Sequence, residues 1–308
     1  MRVLVTGASG FVGQEVLRQL HTAQHQVRIL ARDPHAPALR KATARYGADV
    51  HAGDILRRDT LEGAMAGVDA VIHLVGIIRE VGDNTFENVH TGGTLNLVAA
   101  IQAAHVRRFI HMSALGTRPD AVARYHRSKW AAEEIVRDSG LAFTIFRPSI
   151  IYGAGDSFVT LFARLARYSP VLPVMGSGAG KLQPIAVEAV AGCLAQAVSE
   201  PRAIGHTFDL VGPEVLTFVE LLHEILRVTG CRRWIGHVPL PWARVLAATL
   251  EFGCGLAGMA PPFSRDQLIM LQEEQVGDGG PANVLFRLNP MPFRTGISRF
   301  LTKPTDRL

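Results

Sequence analysis

Met1-Arg2-Val3-Leu4-Val5-Thr6-Gly7-Ala8-Ser9-Gly10-Phe11-Val12-Gly13 opens the chain, and its reading decides the fold. Val3–Thr6 is an apolar run of the kind expected for a strand buried on both faces. Gly7, Gly10 and Gly13 follow at a spacing of three and lead into Gly13–His21, which reads as a helix. Glycines let a strand-to-helix turn close tightly and let a phosphate approach the main chain. The helix N-terminus then offers free N–H groups and a partial positive charge. A glycine string alone is common, but the strand before it and the helix after it make this one a dinucleotide cradle. Thr6, Gly7, Ser9, Gly10, Phe11, Val12 and Gly13 are its candidate residues.

Outward from that turn, strand-like and helix-like segments alternate. Gln26–Ala31, Asp49–Ala52, Ala70–Val75, Arg108–Ser113 and Ala142–Arg147 read as short buried strands. Thr60–Met65, Gly93–His105 and Ser128–Ser139 read as helices, and the second strand is followed by a polar stretch with alternating Ala, Arg and Pro. This rhythm predicts an α/β, Rossmann-type, doubly wound parallel sheet covered on both faces. After Pro148 the rhythm changes. Helices are expected at Ser157–Arg167, Glu188–Ser199, Phe218–Thr229 and 242–257, a strand at Thr207–Val211, and a Pro/Gly-rich connection at Pro170–Gly180. The expected division is a dinucleotide domain over 1–155, with an interleaved piece around 181–211, and a smaller, mostly helical substrate or partner lobe over 156–308.

The end of the second strand bears on the cofactor. An NAD site usually places an acid there to hold the ribose 2′-hydroxyl. This chain has Arg32 followed by Asp33. A guanidinium pairs with a 2′-phosphate in a fork and stacks on adenine, so NADP(H) is favoured, with NAD(H) open if the register differs by one. Asp54, with Ile55 beside it, follows the third strand and is a candidate for the adenine amino group; a turn-capping role suits it as well.

Tyr125 and Lys129 stand at i and i+4, on one face of a helix, and Ser113 ends the fifth strand at the sheet edge where ligands bind. A phenol titrates near pH 10, so service as a base near pH 7 needs a shift of about three pH units, which a neighbouring ammonium and an oxidised nicotinamide would supply. Ser113 would hold the substrate oxygen while hydride moves to or from the nicotinamide. Ser113, Tyr125 and Lys129 are the candidate catalytic residues.

Taken together, Thr6–Gly13, His73-Leu74-Val75-Gly76, Ser113, Tyr125-x-x-x-Lys129 and Arg147–Gly153 resemble the extended short-chain dehydrogenase/reductase superfamily, of the NAD-dependent epimerase/dehydratase type. Within it, the stretches from His73 to Glu80, Met112 to Thr117 and Arg127 to Glu134 are most similar to the branch of the nucleotide-binding accessory subunit of respiratory complex I. The resemblance covers nearly the whole chain and loosens after about residue 230. It implies that Leu74, Val75 and Gly76 back the ribose near the nicotinamide, and that Tyr125 and Lys129 bond that ribose. Pro148 and the backbone after it, Ser149 and Ile150, would meet the carboxamide, with Met112 at the same edge. The family carries a catalytic Asn where this chain has His90, and Asn88 stands out of register. That departure weakens a proton relay.

Three readings follow: an oxidoreductase moving hydride to an unidentified small substrate, a non-catalytic dinucleotide-binding assembly or sensor protein, and a nucleoside-diphosphate-sugar epimerase. The last needs an anion pocket, for which Arg202, Arg232, Arg233, Arg265 and Arg287 are the available cations. Composition is that of a folded globular chain, with 48% hydrophobic and 19% charged residues, which excludes global disorder. Cys193, Cys231 and Cys254 lack metal or disulfide spacing. His51, His73, His90 and His111 look scattered, so no metal is expected. Basic residues exceed acidic ones by 32 − 27 = 5. The Arg pairs 57–58, 107–108 and 232–233 lack interleaved aromatics and read as solvated helix ends, so nucleic acid is not an expected partner. The least polar stretch, 238–263, is expected to be a helix buried against the protein, with Trp242 and Met259 in lobe packing; docking to a membrane complex or a partner is the alternative. No export signal is read at the start, and the expected location is cytoplasmic, with membrane-peripheral as the variant.

Overall fold

A computed structural model describes residues 1–259, 261 and 263–301. Strands β1 (Arg2–Thr6), β2 (Gln26–Ala31), β3 (Asp49–Ala52), β4 (Ala70–His73), β5 (Arg108–Met112) and β6 (Ala142–Pro148) join His206–Leu210 in one seven-stranded sheet. Every pairing in it is parallel, and the order is β3-β2-β1-β4-β5-β6 and then His206–Leu210. The chain reverses direction across the sheet between β1 and β4. A crevice therefore opens at the carboxyl ends of those two strands, where the glycine turn and the Leu74–Gly76 segment emerge.

Helices α1 (Phe11–Thr22), α2 (Pro37–Tyr46) and α6 (Val187–Ala197) cover one face, with Val16, Leu17, Leu20 and Leu194 packed on Val3, Val5 and Ile29. Helices α3 (Gly93–Ala103) and α4 (Arg124–Arg137) cover the other, where Leu97, Ile101 and Val136 meet Leu4, Val71 and Phe109. A third core joins α5 (Val159–Tyr168), α7 (Phe218–Thr229) and the helix Phe293–Leu301 around Tyr152, Leu172, Leu222 and Ile225.

Several expectations change. The polar stretch after β2 contains α2, which starts on Pro37 and ends on Gly47 in the left-handed region at φ 63°. Thr60–Met65 is a pair of 3₁₀ turns, Arg58–Thr60 and Gly63–Met65, rather than one helix. The Pro/Gly-rich segment holds a strand, Val171–Met175, paired in parallel with Trp234–Val238. Arg108 is buried in β5 and is no solvated helix end; its guanidinium donates to the carbonyls of Ala197 and Ala142 and to Thr144 Oγ1.

The largest correction concerns α8 (Leu240–Leu256), the helix expected to be buried. Its fully buried positions among the described side chains are Ala243 and Ala247, whereas Trp242 is 71% and Phe252 71% exposed. Met259 is 60% exposed, so neither it nor Trp242 belongs to lobe packing. Ala260 and Pro262 of the 238–263 segment lie outside the described residues.

Candidate functional site

The glycine turn is held by its own backbone, with Gly10 N–H donating to Gly7 O at 3.1 Å. Gly7 sits at φ 76°, a conformation that side chains resist, and a methyl there would lie 3.0 Å from the Leu74 carbonyl carbon. At Gly13 a methyl would fall 2.4 Å from Gly7 O, so this glycine serves close packing of α1 beneath the turn. Gly10 caps α1 with no side-chain acceptor, and no acid stands in the first turn. That end of the helix is set up to receive an anion.

In front of the turn lies a cavity of about 380 Å³. Of the residues predicted to hold a dinucleotide, Thr6, Gly7, Ser9, Gly10, Arg32, Asp54, Ile55, Leu74, Val75 and Gly76 line it together. Phe11, Val12 and Gly13 are not in its wall, nor are Met112, Tyr125, Lys129, Pro148, Ser149 and Ile150. Val12 packs into the core behind the turn, and Phe11 presses on Gly153. Ser149 N–H donates to Leu210 O, and Ile150 O accepts from Ile185. Asp33 shares the cavity wall with Arg32, and its Oδ1 accepts from His35 N–H. Arg32 reaches Asn84 Oδ1 at 3.4 Å and, among the described residues, has no carboxylate partner. Asn84 was not foreseen; nothing in its local sequence marks it. Asp54 Oδ1 accepts from Leu56 N–H at 3.0 Å, so one oxygen caps the local turn.

A model of the NAD(P)H-binding family matches residues 7–201. The chain belongs to that family. It is an extended short-chain dehydrogenase/reductase, close to the branch of the complex I accessory subunit. It is 31% identical over 258 residues to the NADH dehydrogenase [ubiquinone] 1 alpha subcomplex subunit 9 of Arabidopsis thaliana, covering 80% of this chain and 63% of that one. It thus spans less than two thirds of the plant subunit. It is 30% identical over 262 residues to the ceramide reductase of Caulobacter vibrioides, covering 85% of this chain and 81% of the relative. The UDP-glucuronic acid 4-epimerase of Bacillus cereus shares the fold at 17% identity, with a TM-score of 0.73 over 98% of this chain and 99% of that one.

In this short-chain dehydrogenase/reductase, α4 begins at Arg124, four residues earlier than the sequence suggests, so Tyr125 sits in its first turn. No local side chain caps that helix. Asp266, 141 residues away from Tyr125, does so instead: its carboxylate accepts from Arg124 N–H at 2.7 Å and Tyr125 N–H at 3.0 Å. Glu80 forks onto the Arg124 guanidinium and also accepts from Phe86 N–H. Glu273 binds Arg118 and His126. These three acids tie α4 to its surroundings and carry no short-range signal in the sequence.

Lys129 is 3% exposed, and its Nζ donates to Met112 O at 3.0 Å. Burial lowers it from 10.5 to about 8, against a smaller opposing pull from Glu133. A methyl at Gly76 would lie 3.2 Å from Lys129 Nζ, so the glycine in the cavity wall makes room for the ammonium. In the chain alone, burial pushes the Tyr125 phenol up to about 12. Ser113 is buried, and its Oγ lies 3.4 Å from Thr117 Oγ1.

His90 lies in a π-helical turn, Glu87–Gly92, just before α3. Its Nε2 accepts from Ile77 N–H at 3.0 Å. Ser128 Oγ donates its proton to Tyr125 O, so it accepts from His90 Nδ1, 2.8 Å away, and this fixes the Nδ1–H tautomer. The ring stacks on Phe86 and meets the edge of Tyr125 at 5.4 Å. Burial, and then the Lys129 charge, hold His90 down to about 2 and His73 to about 3. His73 and His111 pack with ring centroids 5.4 Å apart, so three histidines that look scattered in the sequence gather near Lys129. Asn88 is exposed and bonds Asp83 O, away from this cluster. Three of the arginines considered for a diphosphate are engaged by other groups. Arg202 pairs with Glu200, Arg265 with Glu251, and Arg233 donates to Ala166 O.

Proposed function

We propose that this chain is an NADP(H)-preferring oxidoreductase whose Tyr125, Lys129 and Ser113 assist hydride transfer to a small carbonyl-like acceptor. The observation that carries the reading is the continuity made by Gly76. It lines the cavity of the glycine turn and adjoins the Lys129 ammonium, which supports a ligand extended from Arg32 towards the Tyr125–Lys129 pair. Arg32, without a carboxylate partner among the described residues, supports the 2′-phosphate preference. When bound, the nicotinamide supplies the hydride. The residues of the chain then handle the proton. A phenol held at about 12 is protonated at pH 7, which suits donation to the developing alkoxide. Lys129, at about 8, is largely charged at that pH and stabilises the phenolate left behind. The Ser113 hydroxyl orients the acceptor oxygen. Relatives named as a reductase and as a complex I subunit leave both an enzyme and an assembly role represented.

The non-catalytic reading has one observation in its favour. Both nitrogens of His90 are committed, to Ile77 and to Ser128, so the residue at the family's Asn position has no atom free for a relay. Turnover by Tyr125→Phe separates the two. The oxidoreductase reading expects loss of hydride transfer with nucleotide affinity kept within a few fold. Wild-type-like turnover by the variant removes the tyrosine from the mechanism. A wild-type protein that co-purifies with nucleotide but transfers no hydride across carbonyl, quinone and sugar-nucleotide panels establishes the assembly reading.

A further inference from the structure

We propose that the outer face of α8 binds the surface of an anionic lipid bilayer, lying along it rather than through it. The helix is packed in an inverted sense. Its inward positions are small or modest, with Ala243 and Ala247 buried and Leu250 and Cys254 half-buried. Its bulky side chains point to water: Trp242 at 71%, Val245 at 60%, Leu246 at 47% and Phe252 at 71% exposure. Val245 and Leu246 follow Trp242 by three and four residues, Phe252 follows Val245 by seven, and with the exposed Thr249 between them they share one face. Met259, just beyond the helix, is exposed as well. A globular chain of this size ordinarily turns such a stripe inward, and a contiguous exposed one marks a contact surface.

The charges say what kind of surface. Arg244 is exposed beside the stripe and has no ion-pair partner among the described residues, and Arg232, exposed as well, precedes the strand Trp234–Val238 that leads into the helix. The single acid of α8, Glu251, is half-buried and neutralised by the main chain and guanidinium of Arg265. The exposed stripe therefore carries aromatic and aliphatic side chains with basic neighbours and no acid, which is complementary to an apolar phase edged with negative headgroups. With 17 residues, flanking prolines and an inner face seated on the protein, α8 lies in the interface plane. Among the described residues no helix is long and apolar enough to cross a membrane.

Flotation of the full chain tests this with vesicles of phosphatidylcholine alone and of phosphatidylcholine mixed with phosphatidylglycerol. Binding to the mixed vesicles is expected, weaker at high salt and much weaker for phosphatidylcholine alone. Trp242→Ser with Phe252→Ser should lower partitioning by roughly a hundredfold, the ratio for two bulky side chains leaving an apolar phase. Nucleotide affinity and the unfolding midpoint should hold. Arg244→Glu should weaken binding to the anionic vesicles alone. The proposal is overturned if neither vesicle binds, if both bind equally, or if the double variant floats like the wild type. It is also overturned if the wild type ignores vesicles but forms a dimer that the double variant abolishes, since a second copy then covers the face.

Discussion

Lys129→Met should stabilise the nucleotide-free protein at neutral pH and, on the proposed function, weaken its hold on the nicotinamide ribose. The lysine is 3% exposed, and its ammonium is lowered from 10.5 to about 8 by burial. That difference means the folded state disfavours the charged form by about 3 kcal/mol. Methionine fills similar volume without the charge but forfeits the bond to Met112 O, a loss of about 1 kcal/mol. The net gain at pH 7 is about 2 kcal/mol. The pH dependence follows from linkage. Between about pH 8 and 10.5 the unfolded chain still binds the proton that the folded chain has lost, so wild-type stability rises with pH through that window. Above it both states hold a neutral lysine, the penalty is gone, and the variant becomes the less stable by the lost bond. Urea unfolding of both proteins without nucleotide, at pH 7 and above pH 10.5, reads the two differences directly. A variant less stable than wild type at pH 7, or a difference that does not change with pH, refutes the account of a strained buried cation.

Other perturbations separate the supports of the site. Asp266→Ala removes the remote cap of α4 and should cost about 1–2 kcal/mol, with faster hydrogen exchange in the first turn of that helix and little change in the sheet. Glu133 is fully buried between Arg137 and Arg147, so Glu133→Gln should destabilise by about 3 kcal/mol in thermal or urea unfolding. Gly13→Ala forces a methyl to within 2.4 Å of Gly7 O. Calorimetric titration should show nucleotide affinity down at least tenfold, alongside a stability loss of about 1–3 kcal/mol.

The sheet and its turn were legible because their determinants are local. Val3–Thr6 and the glycines are adjacent in the chain, and Gly7 and Gly13 are each required by a close approach. Helix α2 escaped because only Leu39 and Ala42 are buried on it, too few to set up a helical period against its polar neighbours. The start of α4 escaped because its cap, Asp266, comes from the far end of the chain. The same distance hid Glu273. In the chain alone burial pushes the Tyr125 phenol up, whereas the expected lowering draws on the charge of an oxidised nicotinamide together with Lys129. In helix α8 apolar does not mean buried: Ala243 and Ala247 face inward, while Trp242, Val245, Leu246 and Phe252 face outward. The gathering of His73, His90 and His111 depends on the β4–β5 register and the π-helical turn, neither of which has a spacing signature.

The central claim is that the cavity before the glycine turn holds a dinucleotide whose 2′-phosphate meets Arg32. Titration of the wild-type protein and of Arg32→Glu with NADPH and with NADH tests it most directly. The account predicts NADPH binding at least tenfold tighter than NADH to the wild type, with the preference lost or reversed in the variant. Equal affinities in the wild type, or a preference for NADPH unchanged by the substitution, contradicts it.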